Sequence, residues 1–407
     1  LPKWKKNSFA TSASALPPKT KTKNRKGVCL STLRMNSFNT ETCMKVYFDY
    51  SATTPLAREV LQTMTPYLCD MFGNADSVHS FGRDAAYAVD EARRAVAKAI
   101  NAKPKEIFFT SGGTESDNWA IKGIAHANKN KGNKIIVSAI EHAAVLSSAE
   151  QLKHEGFDLV YLPVTDKGLV LPETLENALK EKPAVLVSVM LANNEIGTVQ
   201  PIEKLCALAH EHGAFFHTDA VQAVGSIPVN VKELGVDALS LSAHKFYGPK
   251  GIGALYVKDG TKIDKLIAGG HQEKSMRGGT SPVAQIVGLG KAITLATENL
   301  AENAEKVKKL RDLFVKKVKH ALSYVVYNGE ETLRLPQNAN FTFPFTEGDA
   351  LVMALDIAGV ACSSGAACSS GSLEPSHVMK AIGYSDSDAK PEANTLIAKT
   401  EQKTKRV

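Results

Sequence analysis

The sequence predicts an α/β fold with a mainly parallel sheet flanked by helices. Three observations carry this. Seven short runs rich in β-branched and aromatic residues recur between positions 106 and 257. Longer helical stretches separate several of them, which is the pattern of a parallel sheet with crossover helices. The chain has 407 residues, 43% of them hydrophobic, enough for one large core and a smaller one. In order, the predicted strands are EIFFTS, KIIVSAI, DLVYLPV, AVLVSVM, AFFHTDA, DALSLSA and GALYV. AAYAVDEARRAVAKAI, AVLSSAEQLKHEG and IEKLCALAHEHG read as helices among them. A charge-rich helical stretch over 292–321 bridges to a smaller α+β domain. There NANFTFP reads as a strand, EGDALVMALDIAG as a helix, and a loop rich in Ser, Ala and Gly follows. The expected divisions are a disordered basic leader over 1–44, a segment of the small domain over 45–56 and a large domain over 57–301. The small domain covers 302–407, with a cysteine loop at 361–372 and a polar tail at 384–407.

The formal net charge of +7 is concentrated at one end. Nine basic residues and one acid precede Lys45, so the rest of the chain is nearly neutral, with no polybasic face for nucleic acid. No apolar run has the length of a membrane span. The leader has no hydrophobic segment and is not a secretory signal. A start at Met35 or Met44 implies the cytoplasm, and an organelle transit peptide implies the mitochondrial matrix. The six cysteines form no C-x-x-C pair, so neither a zinc site nor a disulfide framework is expected. Cys69 and Cys206 lie in helical patterns and read as small core residues. His210 and His212 share a helix without partner ligands, and read as solvated or capping.

In an open parallel sheet, ligands bind beyond the carboxyl ends of the strands. After the first strand, Gly112 and Gly113 permit close backbone approach, and Thr114 falls near a helix N-terminus suited to phosphate. Later strands are followed by Glu141-His142, by Asn193-Asn194 and by Asp219 and Gln222. Taken singly, each is more often a cap or a satisfied polar residue than a catalyst. Lys245 follows an apolar strand and precedes a Gly/Pro-rich turn. A desolvated lysine there can form a Schiff base with an aldehyde. A pyridoxal cofactor needs such a lysine, an acid at its ring nitrogen and a phosphate cradle. Lys245, Asp219 and the Gly113-Thr114 turn supply all three.

These segments, SGGTESDNWAIKG, EHAAVL, NNEIG, HTDAVQAVG, SAHKFYGPKGIGALYV, MRGGTSP and SSGAACSSGSLEPSHVM, resemble cysteine desulfurases of the NifS/IscS type. The resemblance runs from about 46 to 383. It implies the fold-type-I pyridoxal 5'-phosphate fold and a homodimer. It implies that Lys245 holds the cofactor, Asp219 pairs with the ring nitrogen, His142 stacks on the ring and moves protons, and Gln222 touches the ring hydroxyl. Thr114, Ser242, His244 and the Gly113 backbone hold the phosphate, Thr280 reaches the phosphate of the other subunit, and Asn194 helps hold the substrate carboxylate. No metal ligand is implied in this chain. Cys368 matches the nucleophile that takes sulfur from L-cysteine, leaving L-alanine and a persulfide. That sulfur passes to an acceptor such as an iron–sulfur scaffold or a tRNA-thiolation enzyme. A class V aminotransferase would not need Cys368; a selenocysteine lyase, or an inactive sulfur-assembly partner, is the other reading. Cys362 stands where the family has a small residue. The tail from Tyr384 onward is polar, contains Pro391 and lacks the family's strand with a carboxylate-binding arginine. The small domain is therefore expected to lack part of its core, and substrate binding to lose a charge-assisted contact.

Overall fold

Alternation along the strands divides the core into two layers. Successive strand residues point to opposite faces, so strands covered on both sides read as near-continuous apolar runs. The computed structural model describes residues 45–344, 346, 348–365 and 376–384, and the backbone of 393–399, all within one compact unit. The elements begin with β1 (Val46–Tyr47), α1 (Arg58–Cys69), α2 (Ser80–Ala99), β2 (Ile107–Thr110) and α3 (Gly113–Ala127). Next come β3 (Lys134–Ser138), α4 (Ala143–His154), β4 (Asp158–Leu162), α5 (Pro172–Glu181), β5 (Ala184–Ser188), α6 (Ile202–Glu211) and β6 (Phe215–Asp219). Then follow α7 (Val231–Leu234), β7 (Ala238–Ser242), β8 (Gly253–Val257), α8 (Val283–Glu298) and α9 (Leu300–Ala321). Ile107, Phe109, Ile136, Leu239 and Leu241 pack with α2 and α8 on one face. Phe108, Ile135, Val137, Leu255 and Val257 pack with α3 and α4 on the other.

The seven strands lie in the order β2-β8-β7-β6-β5-β3-β4. β8 is antiparallel to both neighbours and every other pairing is parallel. The sheet is therefore mainly parallel, as expected, and six strands end on the same edge. The stretch expected as one helix over 292–321 is two. Asn299, at φ −126° and ψ 35°, separates α8 from α9. Asn competes for backbone hydrogen bonds and is a poor interior helix residue.

The remainder comprises β9 (Val326–Tyr327), β10 (Asn338–Pro344), α10 (Gly348–Ile357), β11 (Val360–Ala361), β12 (Ser363–Ser364), α11 (His377–Ala381) and β13 (Ala393–Lys399). β1 pairs in parallel with β11. The other strands form an antiparallel sheet ordered β12-β13-β10-β9. The polar tail holds a strand, although not one with an arginine. β13 pairs with β10 from Asn338↔Lys399 to Pro344↔Ala393. Its sequence, ANTLIAK, has only a short apolar core, so the pairing depends on neighbours rather than on local propensity. Two smaller readings also change. Cys69 is exposed at the end of α1, whereas Cys206 is buried. His210 is not a lone solvated residue, since its Nε2 lies 2.8 Å from Asp237 Oδ2.

One buried latch ties the turn before α8 to the sheet. Arg93 of α2 donates two 2.8 Å hydrogen bonds to Glu273 and a third, of 2.7 Å, to Ile107 O. Glu273 Oε2 also accepts Phe109 N–H at 3.0 Å. Glu273, Lys274 and Ser275 have φ of 45°, 60° and 67°. Left-handed backbone costs a non-glycine residue roughly 1–2 kcal/mol, so this run of three is held by its surroundings. No helix among the described residues is long and apolar enough to cross a membrane.

Candidate active site

The shared strand edge opens into one pocket, and most of the residues singled out in the sequence line it. They are Gly113 and Thr114, His142, Asn194, Asp219 and Gln222, and Ser242, His244 and Lys245. They fall into five groups, at or beyond the carboxyl ends of β2, β3, β5, β6 and β7. Gly113 opens α3, where a Cβ would lie 2.7 Å from Val221 Cγ2, so only glycine admits this approach of turn and helix. The first N–H groups of α3 have no intrahelical acceptor and, with the helix dipole, form an anion cradle beside the Thr114 hydroxyl.

Asp219 ends β6, is 5% exposed, and accepts Val221 N–H at Oδ1 at 2.8 Å. Gln222 Nε2 donates to Ser51 O at 3.0 Å. Lys245 Nζ donates to the carbonyls of Ser51 and Ala52, the latter at 3.0 Å. The 49–52 segment thus fixes two side chains of the pocket. His244 Nδ1 lies 3.1 Å from Thr53 Oγ1. His142 caps α4, with Nδ1 accepting Ala144 N–H at 3.1 Å. A neutral His142 therefore carries its proton on Nε2.

Burial dominates the electrostatics. It raises the pKa of Asp219, against the opposing pull of His142, a backbone N–H and Lys245. It pushes Glu141 up to about 8 and Asp117 well above the ordinary carboxylate range, where the neighbouring charges of Asp219 and Glu141 add to it. It pushes His217 down to about 3, so this buried imidazole is neutral. Asp117, His142 and Asp219 offer ligand-type atoms within 4.8 Å of one another, although no metal ligand was expected.

Two expected residues stand apart. Thr280 is exposed and does not line the pocket of its own chain. Cys368 lies outside the described residues; Gly365, three positions before it, lines the pocket. Asp49, Ser51, Asp117 and Ser363 also line the pocket and were not singled out. Asp117 left a signal, being the one acid among the buried, mostly apolar residues of α3. Asp49 and Ser51 lie in a short segment whose sequence gives no such pattern. Among the described lining residues there is no arginine.

The Aminotransferase class-V family pattern matches residues 46–386. "Cysteine desulfurase IscS" of Dictyoglomus turgidum is 54% identical over 338 residues, covering 83% of this chain and 86% of that protein. The chain belongs to the cysteine desulfurase family. A second relative, "Cysteine desulfurase IscS" of Methanosarcina thermophila, is 50% identical, covering 83% of each chain. Among solved structures, a "NifS-like protein" superposes with a TM-score of 0.82 at 36% identity, covering 89% of this chain and 95% of that one. "SspA in complex with cysteine" superposes with a TM-score of 0.75 at 37% identity, covering 88% and 99%.

Cysteine desulfurases of this class use pyridoxal 5'-phosphate, and the pocket fits it. A lysine and a buried acid share the pocket with a helix N-terminus, and buried Oδ1 atoms of Asp49 and Asp117 lack hydrogen-bond partners. Lys245 could hold the aldehyde carbon, Asp219 the ring nitrogen, and Gly113, Thr114, Ser242 and His244 the phosphate, since all of them line this pocket.

Proposed function

We propose that this chain takes sulfur from L-cysteine, leaving L-alanine and a persulfide on Cys368. The observation that carries the reading is the meeting of Lys245, Asp219 and the α3 N-terminus in one pocket. When bound, pyridoxal phosphate supplies an electron sink that weakens bonds at the substrate's Cα and Cβ. Asp219 holds a negative charge against the ring nitrogen. Lys245 Nζ, held at two carbonyls of the 49–52 segment, takes and returns the proton at the substrate's Cα. His142 Nε2 faces the same work from its cap position, with Nδ1 already occupied. Asn194 meets the substrate carboxylate. The Cys368 thiolate attacks the substrate sulfur, the carbon–sulfur bond breaks with its electron pair left on carbon, and a proton completes alanine. The sulfane sulfur then leaves for an acceptor, an iron–sulfur scaffold or a tRNA-thiolation enzyme.

The working unit is a homodimer in this reading. Phe72, Val78, Phe81 and Tyr87 are each more than half exposed, and the Phe72 and Phe81 rings stack with centroids 5.8 Å apart. Gln272 connects this surface to the segment bearing Thr280. Its Nε2 donates to Asp76 Oδ2 at 2.7 Å, and its Oε1 accepts Gly279 N–H at 3.2 Å. A second copy covering the patch would bring Thr280 to the neighbouring phosphate cradle.

The test supplies the full chain with pyridoxal phosphate and L-cysteine and follows alanine and sulfide under a reductant. Alanine formation that is abolished in Cys368→Ala, with cofactor still bound, supports the proposal. Turnover surviving that substitution would favour an aminotransferase or lyase that does not use the loop thiol.

A further inference from the structure

Resting on the pyridoxal phosphate reading above, a second acid stands behind Asp219. Asp117 is 1% exposed, in the second turn of α3, three residues beyond Thr114. It shares the 4.8 Å cluster with Asp219 and His142, and its Oδ1 has no hydrogen-bond partner. Among the described residues, no lysine or arginine forms an ion pair with it. His217 Nε2 is 3.7 Å away, but the two ring nitrogens of His217 lie against hydroxyls, Ser188 Oγ at 2.8 Å and Ser240 Oγ at 3.0 Å. Arg277, which reaches the first turn of α3, is committed to Glu115 there by bonds of 2.9 and 3.1 Å. The other titratable groups raising the affinity of Asp117 for a proton are Asp219 and Glu141, both acids, while the Ser240 hydroxyl pulls the other way. Two ionised carboxylates at this spacing in a dry site would repel strongly, and one shared proton removes the repulsion.

We infer that Asp117 holds a proton and donates it in a hydrogen bond to the Asp219 carboxylate, acting as a positioning residue for the cofactor's ring nitrogen. The pair then carries one negative charge in total, matched to one protonated ring nitrogen. Burial raises the affinity of Asp117 for its proton, in the same direction. Asp219 is kept ionised and oriented without the charge of the floor rising to minus two. The proton does not leave the pair during turnover.

Asp117→Asn and Asp117→Ala separate this from its rivals. The amide keeps a donor and the charge of the pair, and the methyl keeps neither donor nor shape. With full-length holoenzyme, the Asn variant is expected to hold pyridoxal phosphate within about threefold of wild type and to keep the pH titration of the bound cofactor's absorbance. The Ala variant is expected to weaken binding about tenfold or more and to shift that titration. An Asn variant that shifts the titration as far as Ala does would mean an ionised Asp117 and overturn the inference. So would an Ala variant that only loses stability while its titration stays put. A cofactor-free readout covers an Ala variant that fails to fold. The infrared difference between wild-type and Asn apoprotein at neutral pH should contain a protonated carboxyl band, and its absence overturns the assignment. Should wild type bind no pyridoxal phosphate, the functional reading falls, while the infrared band still decides the state of Asp117.

Discussion

The proposed mechanism gives Lys245 and Asn194 different parts, the first at the substrate's Cα proton and the second at its carboxylate, and kinetics can tell them apart. Lys245→Ala removes the group that handles the proton at the substrate's Cα and should cut kcat by about a thousandfold, within the usual range for acid–base groups. Asn194→Ala removes a ground-state contact to the carboxylate. With no arginine among the described lining residues, that contact matters more, so KM should rise about tenfold with kcat little changed. Glu141 offers a pH test. Its Oε1 accepts Ser138 Oγ at 2.5 Å and Met190 N–H at 2.8 Å, and burial raises it from 4.5 to about 8. Between those values the folded protein binds the Glu141 proton more tightly than the unfolded chain does. Stability therefore falls as pH rises through that window, by up to about 1.4 kcal/mol per unit, and levels off above it. Glu141→Gln has no proton to lose there, so its stability relative to wild type should grow from about pH 5 to about pH 8 in urea unfolding. Lys245 and Asp219 were legible because each ends an apolar run with a charge. Ser51 was not, since it serves through its backbone carbonyl, which no side-chain pattern encodes.

Short elements depend on their anchors. α11 has five residues, and Ser376 Oγ caps it by accepting Val378 N–H at 3.1 Å while donating to Glu195 Oε2 at 2.6 Å. His377 Nε2 lies 2.9 Å from Glu141 O. Val378, Met379 and Ile382 pack on Ile140, Met190 and Ile196. Ser376→Ala loses the cap and leaves the buried Glu195 carboxyl one donor short. It should cost about 1–3 kcal/mol in chemical unfolding, while Ser376→Thr should recover most of it. The inner strands of the large sheet could be read because burial on both faces makes most of them short, largely apolar runs. β13 could not be read. Its place between β10 and β12 is set by strands more than 25 residues earlier in the chain. The break at Asn299 was hidden by helical periodicity on both sides of it.

At the scale of the molecule, the exposed Phe72–Phe81 pair makes the dimer proposal testable. Replacing both rings with Asp should yield a monomer in light scattering, with weaker cofactor retention because the cradle loses Thr280 of the second copy. A dimer that survives the double substitution would place the contact elsewhere. The mainly parallel sheet, and the edge at which the pocket residues gather, followed from the alternation of apolar runs and helices. Contacts distant in sequence, such as the one between Arg93 and Glu273, leave no trace in either segment alone. That latch constrains how sequences of this lineage can drift. Arg93 engages two carboxylate oxygens and a backbone carbonyl at once, and lysine cannot reproduce the fork. A change at either position strands a buried charge beside three left-handed residues. Neutral drift is therefore closed to each residue singly, and the two should vary together or stay fixed among homologues, a pattern that an alignment of the family can expose.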